Sequence, residues 1–426
     1  MKIERGQIIQ TGLLLILSLL AALHPWQVAQ ADTYEVTNTD NSGAGSLRQA
    51  ITDANNHLGP DTITFAASTN GIPIVLSGAA GEDNNASGDL DILDGGDLTI
   101  QGNGVSNTII DGGGIDRVFH VCPGGGCTNT ITLSGVTIQN GSPGFLGGGG
   151  IRNAGGTTIL DGSTIRDCTA SNGGGITNLA TMLVQNGSTI GGIGVGNETI
   201  LNGAGIYNFN GTLTVDDSTI SANSASNNGG GIWNQATLIV QNGSTIGRTG
   251  VGNTADNDGG GIYNFGVGVV TLDDSRVSAN SAVGVGGGIY NAASLIVQNG
   301  SIIGSLGAGN TADIEGGGIF NNETGTTTVD GSTVSDNTAS EDGGGLANTG
   351  TLTIQNGSTI GGVGGGNTAN NEGGGIYNIG DGLLTLESST VSGNLADYGG
   401  GIFNYDTGTT IVDNSSVGGN IVARDG

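Results

Sequence analysis

Two pairs of adjacent aspartates, Asp216 with Asp217 and Asp273 with Asp274, are the residues whose type and spacing could do chemistry. Carboxylate oxygens are the ligands that Ca²⁺ prefers, so these pairs could form a calcium site if their side chains converge. Adjacent acids are also common in turns, where the side chain bonds to the nearby backbone. Apart from Ca²⁺ at these pairs, the sequence predicts no cofactor, and it contains no assignable catalytic set.

Two arginines, Arg248 and Arg276, extend these acids into a candidate lyase site. A lyase of acidic polysaccharides needs calcium held by carboxylates and a basic residue that takes a proton. The alternative is that Arg276 forms a surface ion pair with Asp274, two residues earlier. A hydrolase needs paired carboxylates. For a hydrolase of this polysaccharide-cleaving type, we would also expect a histidine and a basic residue near them. After residue 31 the only histidines are His57 and His120, and the sequence shows no such cluster around them.

Aromatic residues recur at one position of a repeated Gly-Gly-Gly-Ile-x-Asn segment. Position x should point outward, because successive side chains of a strand alternate between faces. An exposed aromatic strip can stack on sugar rings or on a partner surface. The alternative is that the rings only stabilise one another across strands. Position x is aromatic in seven of the ten copies: Tyr207, Trp233, Tyr263, Tyr290, Phe320, Tyr377 and Phe403.

The repeat itself must position these side chains. Its apolar residue falls at Ile151, Ile176, Ile206, Ile232, Ile262, Ile289, Ile319, Leu346, Ile376 and Ile402, which are 25 to 30 residues apart. A period of this size is typical of a solenoid. Each unit offers about three short strands separated by turn residues and no helical spacing, which predicts an all-β parallel β-helix with neighbouring coils about 4.8 Å apart.

Two further columns follow from stacking. An asparagine ends every copy, on the inward face, where identical amides can bond above and below. A second column, meaning a second repeat position that lies above its equivalents in the stack, mostly alternates between an acidic residue and an amide residue. This alternation would keep like charges two coils apart. The first column is Asn153, Asn178, Asn208, Asn234, Asn264, Asn291, Asn321, Asn348, Asn378 and Asn404, and the second is Asp161, Asn186, Asp216, Asn242, Asp273, Asn299, Asp330, Asn356, Glu387 and Asp413.

The N-terminal part divides into a predicted leader and a cap. Residues 1–31 read as a secretory signal peptide, with an apolar run over 12–23 and small residues before Asp32. Residues 32–97 are predicted to hold the cap and first coils, with one helix after Ser46 in a capping box with Gln49. Residues 98–426 hold the repeats. The acidic run Glu82, Asp83, Asp89, Asp91 and Asp94 is predicted to be a solvated loop.

Charge and cysteine content narrow the partners and the compartment. The chain of 426 residues has a net charge of −28, the wrong sign for nucleic acid or anionic lipid. No segment after the leader is expected to cross a membrane as a helix. Cys122 and Cys127 flank a glycine-rich loop and suit a disulfide in an exported chain, which leaves Cys168 as a lone thiol.

The repeats also resemble a known family. The Gly-Gly-Ile motif followed by Asn resembles the repeat of chlamydial polymorphic outer-membrane proteins. The segment Gly45-Ser46-Leu47-Arg48-Gln49-Ala50-Ile51 resembles the Cys-Ser-Leu-Arg-Glu-Ala-Ile segment of exported bacterial β-helix proteins, with Gly45 in place of Cys and Gln49 in place of Glu. The resemblance implies a right-handed, pectin-lyase-like β-helix at a bacterial surface or outside the cell. It carries no catalytic residues across, because these motifs are structural.

The sequence therefore predicts an exported or cell-surface β-helix without catalytic activity, whose aromatic strip presents a surface for adhesion or glycan binding. Its expected partner is a polysaccharide or a cell-surface molecule. Two alternatives stay open, a polysaccharide lyase or hydrolase of the pectate-lyase type and a structural spacer of the envelope. Fold alone does not decide among them.

Overall fold

The chain forms a parallel β-helix of about 14 turns, seen in a computed structural model that describes residues 30–93, 95–192 and 194–424. All its sheets are parallel, only 4% of the chain is helical, and the topology is consistent with a right-handed β-helix. The all-β solenoid predicted from the repeat is thus confirmed. The signal peptide predicted over residues 1–31 lies almost wholly outside the described residues.

Each regular coil passes through four sheets, here named I to IV in the order in which the chain meets them. Sheet I carries the repeated Ile-x-Asn segment. Its strands are Leu90–Ile92, Phe119–Val121, Ile151–Asn153, Ile176–Asn178, Ile206–Asn208, Ile232–Asn234, Ile262–Asn264, Ile289–Asn291, Ile319–Asn321, Leu346–Asn348, Ile376–Asn378 and Ile402–Asn404.

Sheet II holds the longest strands, in which inward apolar residues alternate with outward polar ones. Its strands are Thr33–Val36, Asp61–Phe65, Leu98–Gln101, Thr130–Ser134, Thr157–Asp161, Thr181–Gln185, Thr212–Asp216, Thr237–Gln241, Val269–Asp273, Ser294–Gln298, Thr326–Asp330, Thr351–Gln355, Leu383–Glu387 and Thr409–Asp413. Sheet II runs without a break from the predicted cap into the repeats. The boundary at residues 97 and 98 stays a prediction.

Sheet III follows a tight turn after sheet II. Its strands are Ile74–Val75, Ile109–Asp111, Thr137–Gln139, Thr164–Arg166, Thr189–Gly191, Thr219–Ser221, Thr245–Ile246, Arg276–Val277, Ile302–Ile303, Thr333–Val334, Thr359–Gly361, Thr390–Ser392 and Ser416–Val417.

Sheet IV is an addition to the three strands per coil that the sequence predicts. Most of its strands have two residues, which is too short for an alternation to show in the sequence. They are Thr169–Asn172, Glu198–Asn202, Ser224–Ala225, Thr254–Ala255, Ser281–Ala282, Thr311–Ala312, Thr338–Ala339, Thr368–Ala369, Leu395–Ala396 and Ile421–Val422.

The core is a set of apolar columns joined by amide ladders. The inward residues of Ile-x-Asn segments, such as Ile232 and Ile262, are fully buried. The predicted asparagine ladder is confirmed: the Asn234 side-chain amide donates to Asn264 Oδ1 over 2.9 Å, and Asn264 donates to Asn291 Oδ1 over 2.8 Å. A second buried ladder, which the sequence analysis missed, runs through Asn197, Asn223, Asn253, Asn280, Asn310, Asn337, Asn367, Asn394 and Asn420.

This second ladder explains the glycine triplets. In the triplet before Ile232, Gly229 has a φ of +68°, which favours glycine. A Cβ on Gly231 would lie 2.6 Å from the carbonyl oxygen of Gly261 and 3.0 Å from the side-chain nitrogen of Asn253. Glycine therefore lets the turn into sheet I lie against the amide ladder.

Among the described residues, one α-helix, α1 (Leu47–Asn55), covers the first coils, and two short 3₁₀ helices span Ala67–Thr69 and Gly144–Leu146. As predicted, Ser46 caps α1 by accepting from the Gln49 backbone N–H over 3.2 Å. The reciprocal half of the capping box is absent in the described structure, because the Gln49 side chain donates to Asp53 Oδ1 over 2.7 Å. The apolar face of α1, including Leu47 and Ile51, is buried against the core.

Candidate functional site

The two aspartate pairs lie on the outer turn between sheets II and III, in coils that are not adjacent. Between them lies the coil of Gln241 and Asn242, whose side-chain amides both donate to the Asp216 carboxylate over 2.8 Å. Asp273 likewise accepts from Gln298 and Asn299 of the following coil, over 3.0 and 2.8 Å. The acid–amide alternation is therefore a set of direct hydrogen bonds, and not only a spacing of like charges. Calcium at Asp216, Asp217, Asp273 and Asp274 stays a prediction.

The candidate lyase residues share a cavity beside sheet III. Arg248, Asp274 and Arg276 line a space of about 330 Å³, together with Thr245 and Ser278. Arg276 is the register partner of Thr245 in the coil below and of Ile302 in the coil above. The ion pairs of the described chain do not include Asp274 with Arg276, so the surface ion pair expected for them does not form.

The aromatic strip lies on the outer side of sheet I, but most of its rings are covered by their neighbours. Tyr207 stacks on Trp233 with ring centroids 4.5 Å apart, and Tyr290 stacks on both Tyr263, at 4.5 Å, and Phe320, at 5.6 Å. Trp233 is only 8% exposed. Tyr290 therefore has a ring against both of its faces, whereas Phe320 and Tyr377 each stack on one ring of the strip and face Ala347 on the other side. Tyr377 and Phe403 stack in the same way, at 6.1 Å.

A ring platform and an open cavity occur together at the lower end of this strip. Phe209 lies beside Tyr207 in the same coil, with centroids 6.0 Å apart and planes inclined by 7°. The register partner of Tyr207 in the coil below is Thr177, which carries no ring. Tyr207, Phe209 and Thr177 line an open cavity of about 390 Å³. Arg152 and Phe145 line the same cavity. Phe145 is 89% exposed.

The outer column of sheet I continues below Arg152 as charged residues. The register partner of Arg152 is His120, and that of His120 is Asp91, so three successive coils place these side chains in line. Asp91 is fully buried and His120 is nearly so. The prediction of a solvated loop over this acidic run is therefore wrong for Asp89 and Asp91, because the strand Leu90–Ile92 is itself part of sheet I. Asp94 lies outside the described residues.

The buried charges form one network with two arginines. Arg117 Nη1 lies 3.2 Å from Asp89 Oδ2 and 2.8 Å from His120 Nδ1. Arg48 donates to the backbone oxygens of Gly88 and Asp89. Burial raises the pKa of Asp89 to about 8 and that of Asp91 to about 7, and it lowers the pKa of His120 to about 4. A substrate cannot reach carboxylates buried in this way, which argues against a glycosidase site here.

The sequence analysis missed this cluster, although a signal for it was present. Leu90-Asp91-Ile92 and Phe119-His120-Val121 are apolar–polar–apolar triplets that lie 61 and 32 residues before Ile151-Arg152-Asn153, about two repeats and one repeat. If position x of the repeat is followed toward the N-terminus through these two triplets, Asp91, His120 and Arg152 fall in one line. The triplets carry neither the asparagine nor the glycine triplet that marks the regular copies.

A second acidic column borders the aromatic strip. Glu315, Asp342 and Glu372 each precede a glycine triplet, and Glu315 and Asp342 form an isolated parallel bridge. Desolvation raises the pKa of Glu315 to about 7, and desolvation together with Asp342 and Glu372 raises the pKa of Tyr377. These carboxyl groups thus lie near the phenol of Tyr377 in a partly dry environment.

No family model, curated protein or solved structure matches this chain. Within the described residues, no helix has the length and apolar character needed to cross a membrane.

Proposed function

We propose that this protein is an exported β-helix that binds a glycan in the cavity between Arg152 and Tyr207. The single observation that carries the proposal is the paired ring platform of Tyr207 and Phe209 facing that cavity. Sugar rings pack their C–H faces on aromatic rings, so a binding ring needs one uncovered face. Since Trp233 covers one face of Tyr207, the face toward the smaller Thr177 is the one that can receive a sugar.

The dimensions of the cavity suit one sugar residue. Arg152 and Tyr207 lie two coils apart, or about 10 Å along the rod at the usual strand spacing. A cavity of about 390 Å³ falls within the range of small-molecule sites. The exposed ring of Phe145 forms a further apolar wall, and Arg152 offers N–H donors for sugar hydroxyls.

Net charge favours a neutral glycan over an acidic one. A chain with a net charge of −28 repels a polyanion at long range, so association with an acidic polysaccharide is slowed. Neutral sugars carry no such penalty, and their hydroxyls can accept from the Arg152 guanidinium. We therefore expect neutral glycans to bind better than uronic-acid polymers at low salt.

The test is a glycan array with the wild type, a double variant that lacks the platform, a single-variant control and a triple variant of the strip. Tyr207→Ala with Phe209→Ala removes the platform and should abolish binding. Tyr290→Ala is the control, because both faces of this ring are covered in the stack, and it should leave binding unchanged. Binding that survives loss of the platform but disappears in a Trp233, Tyr263 and Tyr290 triple alanine variant would move the site to the strip. No binding by wild type would favour the spacer function.

A second candidate function is a lyase at the cavity of Arg248, Asp274 and Arg276, because three predicted lyase residues do line one space. Incubation with polygalacturonate and Ca²⁺ across a broad pH range, followed by absorbance of unsaturated products, tests it. Asp274→Asn and Arg276→Lys should each reduce the rate strongly. Equal rates in these variants, or no product from wild type, would end this candidate.

Export to the cell surface or medium is part of the same proposal. It is supported by the apolar run over residues 12–23 and by the disulfide that joins Cys122 and Cys127, since disulfides persist in oxidising compartments. Fractionation of cells that express the full chain, with N-terminal sequencing of the exported form, tests it. The expected first residue is Asp32, and a protein retained inside the cell with residue 1 intact would contradict it.

A further inference from the structure

Three potential metal ligands converge near the first coils of the rod. Asp83 lies in the loop between the strands Ile74–Val75 and Leu90–Ile92, whereas Asp91 and His120 are register partners on sheet I. One ligand atom from each residue can be chosen so that all lie within 4.8 Å of one another. We propose that Asp83, Asp91 and His120 bind a divalent transition-metal cation such as Zn²⁺.

The separations of the ligand atoms are equal to or somewhat larger than the edges of a coordination polyhedron. His120 Nδ1 lies 3.1 Å from Asp83 Oδ1 and 3.7 Å from Asp91 Oδ1. A metal bound at about 2.1 Å from each ligand would place neighbouring ligand atoms about 3.0 to 3.4 Å apart, in octahedral or tetrahedral geometry. Closing the site around an ion therefore requires Asp91 Oδ1 and His120 Nδ1 to approach each other by a few tenths of an ångström and Arg117 Nη1 to leave Nδ1.

A buried atom without a hydrogen-bond partner points to the same position. Asp91 is fully buried, and while its Oδ2 accepts from the Asn85 backbone N–H over 2.8 Å, its Oδ1 has no hydrogen-bond partner. An unsatisfied carboxylate oxygen in such a place is costly. A cation between Asp91 Oδ1 and His120 Nδ1 would satisfy it.

Conflicting demands on His120 Nδ1 support the same conclusion. Arg117 Nη1, at 2.8 Å, can only donate to this nitrogen, whereas Asp83 Oδ1, at 3.1 Å, can only accept from it when ionised. One ring nitrogen cannot meet both demands. A bound cation would use the lone pair of Nδ1 and the carboxylate of Asp83 together, and Arg117 Nη1 would then move off Nδ1 toward Asp89 Oδ2, from which it already lies 3.2 Å.

The chemical types of the ligand atoms determine which ion the site prefers, and the exposure of Asp83 determines how an ion enters. One imidazole nitrogen with two carboxylate oxygens suits Zn²⁺ and its first-row neighbours better than Ca²⁺, which prefers six or more oxygens. The side chain of Asp83 is 59% exposed, so the site has an entrance from solvent on that side.

His57 provides an internal contrast. Its Nδ1 lies 2.9 Å from Asp61 Oδ1 and its Nε2 lies 3.4 Å from Asp32 Oδ2. The two ring nitrogens point away from each other, so these carboxylates cannot converge with the ring on one ion. A histidine between two carboxylates is therefore not enough, and it is the shared nitrogen of His120 that makes the candidate site.

The experiment is calorimetric titration of the full chain with Zn²⁺ after treatment with a chelator, in 0.15 M NaCl to screen weak binding to the acidic surface. We expect one saturable equivalent. Asp83→Asn should weaken it at least about tenfold, as loss of a ligand does, without disturbing the buried network. His120→Ala should remove it, and His57→Ala should leave it unchanged.

Nitrogen chemical shifts of the histidine rings provide a second readout that a merely structural effect would not move. On addition of one equivalent of Zn²⁺ the ring nitrogens of His120 should shift, and those of His57 should not. Absence of a saturable site in wild type overturns the proposal. An undiminished site in both Asp83→Asn and His120→Ala also overturns it, because the ion would then be bound elsewhere.

Discussion

Tyr263 and Tyr290, register partners on neighbouring strands of sheet I, stack with their ring centroids 4.5 Å apart and their planes inclined by 8°. Phe320 covers the other face of Tyr290. Stacking of this kind follows directly from the coil spacing, because identical positions lie about 4.8 Å apart along the rod. The strip therefore stabilises the stack along most of its length, and an uncovered face remains where a coil lacks a ring.

The first prediction concerns this stabilisation. Tyr290→Ala removes two stacked pairs and half-buried ring area, so it should lower the free energy of unfolding by about 2 to 3 kcal/mol. Phe145→Ala is the matched control, because that ring is 89% exposed and should contribute less than about 0.5 kcal/mol. Urea unfolding followed by circular dichroism measures both. Equal stability of the two variants would mean that the stack contributes nothing.

The second prediction concerns the inward asparagine ladder. Asn264→Ala removes one of the two acceptors of the Asn234 side-chain amide and one of the two donors to Asn291 Oδ1, in a fully buried position, and leaves the backbone contacts with Ala236 and Ala293. The loss of two buried hydrogen bonds should cost about 1 to 3 kcal/mol. Asn404→Ala, in the exposed last coil of the same ladder, should cost much less. Thermal unfolding compares them, and similar losses in both variants would contradict a role for buried amide pairing.

The sequence predicts the stacked β-helix well because the same buried positions recur in every repeat. An inward aliphatic residue and an asparagine recur in ten copies, with isoleucine in nine and Leu346 in the tenth. Stacking is the simplest way to bury both, and the register of Ile232 on Ile262 and of Asn234 on Asn264 follows. Sheet IV could not be predicted in this way. A two-residue strand such as Thr254–Ala255 has no period, and it is defined only by its partners in adjacent coils.

The candidate sites were less predictable for a related reason. Asp83, Asp91 and His120 meet through a loop and two irregular coils, so their proximity depends on a register that the sequence does not mark. The cavity near Tyr207 depends on what is missing, a ring at Thr177, and on Phe145, which lies in a 3₁₀ helix between repeats. The outward direction of the strip was predictable, but the covering of its ring faces was not.

The third prediction concerns the lone thiol. Cys168 is fully buried, and burial raises the pKa of its thiol to about 12. Because the thiolate is the reactive form, the native protein should not react with a thiol reagent at neutral pH, whereas one thiol should react after unfolding. Labelling with and without denaturant, followed by intact mass, measures this. One equivalent of label on the folded chain would show that Cys168 is accessible, whereas two equivalents would show that the disulfide is open.

The fourth prediction concerns the acidic column beside the aromatic strip. Desolvation raises the pKa of Glu315 from 4.5 to about 7 in the folded protein. The folded state then binds more protons than the unfolded state between these values, so the contribution to stability is present below pH 4.5 and is lost as the pH rises through 7. Because this side chain is partly solvated, the loss should be limited to about 1 to 2 kcal/mol.

Glu315→Gln isolates that contribution, since the amide keeps the shape of the side chain and cannot ionise. The variant should be more stable than wild type at pH 8 and should differ little from it at pH 4. Glu323→Gln is the matched control, because the Glu323 side chain is exposed to solvent, and this variant should follow wild type at both pH values. Thermal unfolding at the two pH values measures the four differences. A Glu315→Gln variant that gains nothing over wild type at pH 8 would show that the carboxylate is fully solvated in the folded protein, and the dry environment inferred beside Tyr377 would then be wrong.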